Sequence, residues 1–348
     1  MIHLHTHTEF SLLDGLPTAE DLIKRASQLG QPALAITDHG NMFGVPFFVK
    51  TAKAYNVKPI IGIETYLVDD MADRMRRRSY HFLLIAYNEE GYKTLIKLSS
   101  DAFLDGYYYR PRIDWDYLNA NNSGLIATTG CLAAPVPQNL LTGNDELAQK
   151  YLEYSYDIFG QNRLFIELQL HEGIPELEKI NETMLSMGKK FGLKSVATND
   201  IHYALREDAK LHDILLCIQT KKTVKDTNRM RFSGNDYYLK SEQEMLAIFP
   251  KNSIDNTVLI SEMCTEFELF DSSPKLPKIA DDSDAVLAQI AMNGLLSKYG
   301  ILRASSDQEV VDRFNHELKI ISEMGFSDYF LIIADLCKFA KNNNIWWI

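Results

Sequence analysis

Short apolar runs alternate with segments whose apolar positions recur at helical spacing through roughly the first 200 residues. The runs predict strands over 32–37, 58–68, 81–87, 124–129, 163–170 and 194–198. The segments between them predict helices over 19–29, 45–55, 91–103, 145–159 and 176–191. Thr18 with Asp21 has the spacing of a capping box for the first helix, and Gly30, Gly160 and Gly192 stand where helices are expected to stop. The N-terminus, Met1-Ile-His-Leu-His-Thr-His, alternates with period two. As a strand it would put Ile2 and Leu4 on one face and His3, His5 and His7 on the other. With it the count reaches about seven strands, which suits an α/β fold of the distorted (β/α)7 TIM-like barrel kind better than half of a doubly wound sheet.

After about residue 205 the chain reads as mostly helical, with one short strand over 236–240. A Pro-punctuated acidic stretch, 272–284, reads as a linker. Beyond it come amphipathic helices over 285–299 and 308–324 and an apolar helix over 329–340. The 348 residues suit roughly two domains of about 150. The division is expected at 1–275 and 276–348. The last residues are Trp346, Trp347 and Ile348, and two large rings at a terminus lead us to expect a piece of a longer protein.

With 46% hydrophobic and 24% charged residues the chain has the mix of a globular protein, not of a disordered tail or a disulfide miniprotein. The balance of 36 Lys+Arg against 47 Asp+Glu, net −11, argues against simple non-specific DNA binding. It leaves room for phosphate-ester chemistry in which metal ions supply local positive charge. No apolar run approaches a membrane span, no secretory signal opens the chain, and Cys131, Cys217, Cys264 and Cys337 form no CxxC pair. A reducing, cytoplasmic setting is therefore expected.

Ligand-type side chains recur at strand ends: Asp38 and His39 after the first run, Glu64 within the second, His81 at the start of the third, Cys131 after the fourth, and Asp200 and His202 after the last. Functional groups of βα barrels gather at the C-terminal ends of the strands, so dispersed residues can converge there. Each alone has a plainer role: a hydrogen-bonded histidine, a buried thiol, or Asp38 and Asp200 as helix caps. His81 precedes its strand, so either that strand runs against the others or the 71–80 loop delivers the residue. That loop holds Arg74, Arg76, Arg77 and Arg78, which read equally as a solvated run or as contacts to a DNA backbone.

The segments HLHTHTEFSLLDG, ALAITDHGNMFG, KPIIGIETYLV and ND-IHY resemble the PHP (polymerase and histidinol phosphatase) domain. GYYYRPRID, GLIATTGCLAAPV and MGFSDYFLIIADLCKFAK extend the resemblance, over essentially the whole chain, to the family C replicative polymerases, the alpha subunits of bacterial DNA polymerase III. The resemblance implies a site of nine positions, here His5, His7, Asp14, His39, Glu64, His81, Cys131, Asp200 and His202, with Asp200 and His202 catalytic. His3 and His171 lie near it without being claimed as ligands. Two or three divalent ions are implied, Zn²⁺ foremost with Mn²⁺ or Fe as alternatives. Their implied use is metal-dependent 3′–5′ exonuclease proofreading. A PHP domain whose metals only stabilise the polymerase, or a stand-alone phosphatase, are the competing readings. The implied partners are a DNA primer-template and other replisome subunits (sliding clamp, clamp loader, a separate exonuclease subunit), with no membrane.

The resemblance also implies that residues after about 275 enter a palm and thumb whose catalytic aspartates lie elsewhere. Asp281, Asp282 and Asp284 sit in the Pro-flanked stretch. Asp328 and Asp335 are two helical turns, roughly 10 Å, apart, too far for a shared metal pair. Primer extension with all four deoxynucleotides is therefore expected to give no template-dependent product. Such a product would place a polymerase site within these 348 residues.

Overall fold

The computed structural model describes residues 1–75, 77–270, 275–300 and 306–346. They form two compact units, Met1–Leu269 and Phe270–Ile348.

In the first unit helix α1 (Ala19–Gln28) starts where its capping box places it: Thr18 Oγ1 accepts from Asp21 N, and Asp21 returns a carboxylate to Thr18 N. The chain continues through β1 (Ala33–Ile36), α2 (Val45–Ala54), β2 (Lys58–Val68), β3 (Tyr80–Ala86) and α3 (Glu89–Leu104). Next come β4 (Arg112–Asp114), α4 (Trp115–Ala120), β5 (Leu125–Thr128) and α5 (Pro135–Leu141). Then follow α6 (Asp145–Arg163), β6 (Leu164–Leu168), α7 (Glu176–Lys190) and β7 (Lys194–Ala197). Gly160 does not end its helix as expected. With φ of +65° it kinks α6, which runs on to Arg163.

The sheet order is β1-β2-β3-β5-β6-β7, with β4 beside β2. Neighbours are parallel except β3, which runs antiparallel to both β2 and β5. The N-terminal segment is not a regular strand. It makes two isolated bridges, His3 with Leu34 and Thr6 with Ile201. Those bridges nonetheless join the two ends of the sheet: Ala35 N donates to His3 O at 3.0 Å, and His7 N donates to Ile201 O at 2.8 Å. The curled sheet is thereby closed into the expected barrel.

Closure makes two cores. Ile2, Leu4, Ala33, Ala35, Ile60, Ile85, Ile126, Phe165 and Val196, drawn from every part of the ring, fill the interior. Outward residues such as Leu34, Ile61, Leu84, Leu125, Ile166 and Ala197 pack under the helices. The 236–240 strand does not form, beyond one bridge from Tyr238 to Tyr203. Backbone donors from His202 and Tyr203 reach only the Tyr237 carbonyl, and side chains take the others named here: Asn199 Nδ2 serves Asp236 O and Tyr238 O, and His3 Nε2 and Gln31 Nε2 serve Lys240 O. Helices α8 (Ala209–Thr220), α9 (Glu242–Leu246) and α10 (Lys251–Met263) follow β7 in this unit.

In the second unit lie α11 (Ser283–Tyr299), α12 (Gln308–Glu323) and α13 (Ser327–Asn342). Part of the stretch read as a linker, 272–274, is outside the described residues. Asp282 caps α11 by accepting from Ala285 N at 2.9 Å. Asp284 accepts from Ser322 and Ser327, and Asp328 from Ser283 and Ile279 N. These carboxylates tie helices together. Among the described residues no helix is long and apolar enough to cross a membrane.

Because the ring closes through Leu4, which is fully buried, Leu4→Ala is expected to lower unfolding free energy by about 2–5 kcal/mol in urea titration. A loss under about 1 kcal/mol would mean that the N-terminal segment is not part of the core.

Candidate metal centre

The donors stand at one end of the barrel. His5 and His7 come from the closing segment. The chain then turns so tightly that a Cβ on Gly15 would lie 2.1 Å from Thr8 O, and the turn brings Asp14 back over the barrel mouth. His39 follows β1. Glu64 is an inward position of β2, and Cys131 follows β5. His81 sits near the start of β3, opposite Tyr66. Because β3 is reversed, its start lies at the end of the barrel where the other strands finish, which settles how His81 arrives. Asp200 and His202 follow β7. Asp200 has φ of +45°, a conformation that a non-glycine residue holds only when its surroundings enforce it.

All nine sequence-derived positions meet in one network. Glu64 is 1% exposed. Its carboxylate lies 3.2 Å from His5 Nε2, 2.6 Å from His39 Nδ1 and 3.0 Å from His81 Nδ1. Cys131 Sγ is 3.3 Å from Glu64 Oε1 and 3.7 Å from His81 Nδ1. Asp200 Oδ1 is 3.2 Å from both His5 Nε2 and His7 Nε2. His39 Nε2 is 3.0 Å from Asp14 Oδ2, and the His7 ring stacks on His39 at 4.0 Å and tilts against His202 at 4.4 Å.

The hydrogen bonds behind the rings fix which nitrogen faces inward. Carboxylates and carbonyls only accept, so the nitrogen facing one carries the proton. His5 Nδ1 donates to Glu167 Oε1 at 2.7 Å, and His202 Nδ1 donates to Asp200 O at 2.7 Å. Ser11 gives its hydroxyl proton to Asp38 at 2.6 Å, so its oxygen accepts from His7 Nδ1 at 3.0 Å. In each case the protein engages Nδ1 and leaves Nε2 as the nitrogen available to a metal.

The side chains do not balance one another electrostatically. Burial alone would lower the His5 and His39 pKa values. The carboxylates of Asp200, Glu167 and Glu64 around His5, and of Glu64 and Asp14 around His39, instead hold both well above the ordinary range. His7 falls to about 3, from burial and from the neighbouring His39 and His202. Burial opposes ionisation of Glu64, yet His81, His5 and His39 outweigh it and hold its pKa well below the usual value. Burial and the Glu64 and Asp200 charges push the Cys131 thiol up. Six of the nine residues carry a buried atom with no well-formed hydrogen bond: His5 Nε2, His7 Nε2, Asp14 Oδ1, His39 Nδ1, Glu64 Oε2 and Asp200 Oδ1. Five of these six face one another across the centre, as imidazole against carboxylate, at 2.6–3.2 Å, an arrangement that native interiors seldom keep without a further partner. Three sets place their ligand atoms within 4.8 Å of one another: His7, His39 and His202; His5, His7 and Asp200; His39, Glu64 and His81. Mixed imidazole and carboxylate sets of this kind suit divalent cations.

Other expectations shift. His3 leaves the cluster for Lys240 O, because the N-terminal segment bridges only at His3 and Thr6 and so breaks the period-two alternation. Asp38 caps no helix. It accepts from Thr8 N, Thr8 Oγ1 and Ser11 Oγ, and Asp200 likewise faces His5 and His7 rather than a helix end. Arg74 donates to the carbonyls of Tyr107 and Asp105, and Arg77 lies over the Tyr109 ring at 4.3 Å. Arg78 lines a small cavity with Asp69, Asp70 and Asp73, and Arg76 lies outside the described residues. Arg110, which sequence reading passed over, approaches the donors instead: it stacks at 4.6 Å over Tyr66, whose ring stands 5.5 Å from His81.

Glu167 was also missed. It is fully buried, and besides His5 it accepts from Thr128, Thr198 and Gln169. Its one sequence signal was a carboxylate inside the apolar run LFIELQL. Glu167→Gln is expected to weaken metal affinity about 10–100-fold without unfolding the chain, measured by chelator competition. Unchanged affinity would detach Glu167 from the centre.

Comparison with known proteins adds independent evidence. The PHP domain model matches residues 3–171, and that of the "bacterial DNA polymerase III alpha NTPase domain" matches residues 285–347. The DNA polymerase III subunit alpha of Borreliella burgdorferi is 39% identical over 99% of this chain and 30% of its own length. That of Treponema pallidum is 37% identical over 99% and 30%, and that of Thermus aquaticus 35% over 99% and 34%. The chain thus spans about a third of the length of these curated relatives. With a PHP domain in its first unit and this likeness running from end to end, the chain belongs to the family of the bacterial DNA polymerase III alpha subunits.

Proposed function

We propose that the first unit is a metal-dependent phosphodiesterase that removes nucleotides from DNA 3′ ends, as a proofreading part of a replicative polymerase. The observation that carries this reading is the convergence of nine donor residues, six of them with a buried atom that has no well-formed hydrogen bond. His5, His7 and Asp200, His7, His39 and His202, and His39, Glu64 and His81 would hold two or three ions, with Cys131 and Asp14 completing the shell. The chemistry of the donors favours Zn²⁺, with Mn²⁺ or Fe as alternatives. Ions held there would supply Lewis acidity and a lowered pKa for water at neutral pH. The chain's own residues do the rest. Glu167, Ser11 and the Asp200 carbonyl hold three imidazoles in the ligand tautomer. Asp200, held by its strained backbone, aims one carboxylate oxygen at two of those rings.

The substrate enters through a cavity of about 350 Å³ lined on one side by His39, His81, Cys131, Asp200 and His202. Its other side is apolar, with Leu132, Ile174, Leu177, Met230 and Phe232, a surface on which a nucleobase can rest. Its natural partners are then a primer-template and the other replisome subunits, including a sliding clamp, a clamp loader and a separate exonuclease subunit.

The test pairs elemental analysis of chain purified without chelator with hydrolysis of a 3′-mismatched, labelled primer. Two or three equivalents of metal and stepwise shortening are expected. Asp200→Asn should abolish shortening while leaving the circular dichroism spectrum intact. Metal retained without any shortening would instead make the centre a stabiliser of the fold, since bound metal favours the folded state.

A further inference from the structure

His171 follows β6 at the same end of the barrel as the donors, and it lines the same cavity. It belongs to none of the three donor sets. Its side chain is 3% exposed, and neither ring nitrogen has a hydrogen-bond partner. Its position is nonetheless well determined. The ring stacks flat on Tyr237 at 3.9 Å and 13°, and Nδ1 points to Asp236 Oδ2 at 3.6 Å. Asp236 is itself anchored: the same Oδ2 accepts from Lys240 Nζ and Glu172 N, each at 3.3 Å. Lys240 is held in turn by Asn199 Oδ1 at 2.9 Å. Burial works against the Asp236 charge, but His171 and Lys240 outweigh it and keep the carboxyl below its ordinary pKa. An ionised carboxylate behind Nδ1 leaves Nε2 as the nitrogen that serves the cavity. Carboxylate, imidazole and cleft in this order are the arrangement of a proton-transfer pair, and such contacts are often long before substrate tightens them.

Two other polar residues on the cavity wall are committed elsewhere. Gln169 Nε2 is taken by Glu167 and Thr198, and Arg231 donates to Asp226 O from an exposed position. His171 alone combines burial, a free nitrogen and a carboxylate behind it among the described residues that line the cavity and are not donors.

We propose that His171 is the general acid of this site, oriented by Asp236, and that it protonates the departing oxygen of the phosphodiester. The proposal rests on the phosphodiesterase reading above. A water oxygen forms the new bond to phosphorus, and the bond from phosphorus to the 3′-oxygen of the penultimate nucleotide breaks. The proton on His171 Nε2 passes to that oxygen, giving a 3′-hydroxyl and a nucleoside 5′-monophosphate. The protons of the attacking water go to solvent and to the imidazole, which is restored. Asp236 is a positioning residue here, since it reaches the reaction only through His171.

The test uses two diesters with different leaving groups. A DNA primer releases a poor alkoxide that needs a proton. The p-nitrophenyl ester of thymidine 5′-monophosphate releases a stable phenolate that does not. His171→Ala should lower kcat on DNA by about 100-fold or more, with a loss on the nitrophenyl ester at least ~10-fold smaller. Metal content by elemental analysis should match wild type. His171→Gln, which keeps the stacking plane and a donor but cannot transfer a proton, should behave as His171→Ala. Asp236→Asn should shift the same ratio in the same direction by less. Equal losses on both substrates, loss of metal from either His171 variant, or recovery of DNA cleavage by His171→Gln would overturn the assignment. A wild-type chain that hydrolyses neither diester would overturn the phosphodiesterase reading itself, and that result needs no variant to detect.

Discussion

One buried carboxylate organises the first unit. Glu64 sits inside the barrel on β2, where an isolated charge would cost several kcal/mol even after relaxation. Everything near it answers that cost. His5 from the N-terminal segment, His39 after β1, His81 at the head of the reversed β3 and Cys131 after β5 all lie within 3.3 Å of its oxygens. The imidazoles compensate Glu64 only in part, because burial and its histidine neighbours lower the His7 pKa while the carboxylates raise those of His5 and His39. A cavity this rich in unpaired donors is a poor core and a good cradle for cations. The stability of the barrel and the chemistry of its mouth therefore rest on the same residue.

Much of this was legible in the chain. Helix α1 begins at its capping box, the Lys58–Val68 strand has its expected limits, and every ligand-type residue picked out at a strand end except Asp38 reaches the centre. These signals are local: periodicity, caps, and polar residues breaking apolar runs. The illegible parts depend on partners far away in sequence. Nothing near His3 shows that its ring turns to the Lys240 carbonyl, or that the 236–240 segment would find side chains where a strand needs a neighbouring ladder. Strand direction was equally hidden, so His81 looked misplaced until β3 proved antiparallel. Glu167 was overlooked because a carboxylate in an apolar strand looks the same whether it meets solvent or an imidazole.

The residues behind the donors are as informative as the donors. Asp38 makes no contact in the donor sets, yet by taking the Ser11 proton it decides which nitrogen of His7 stays free. Glu167 does the same for His5 without an intermediary. Control of tautomers at one or two removes is what separates an assembled centre from a chance gathering of histidines.

Closing the ring through its first residues has a consequence for synthesis. His5 and the Glu167 that orients it are 162 positions apart, and the segment carrying His5 and His7 also pairs with Ile201. A chain emerging from the ribosome therefore presents His5 and His7 long before Glu167 and Asp200 exist. At roughly 5–20 residues per second, that interval lasts on the order of ten seconds or more. During it the N-terminal segment has neither a barrel to close nor a settled shell of ligands. A cation captured early could not yet meet the full ligand set, so selection of the metal belongs to the end of folding, when the last strand arrives.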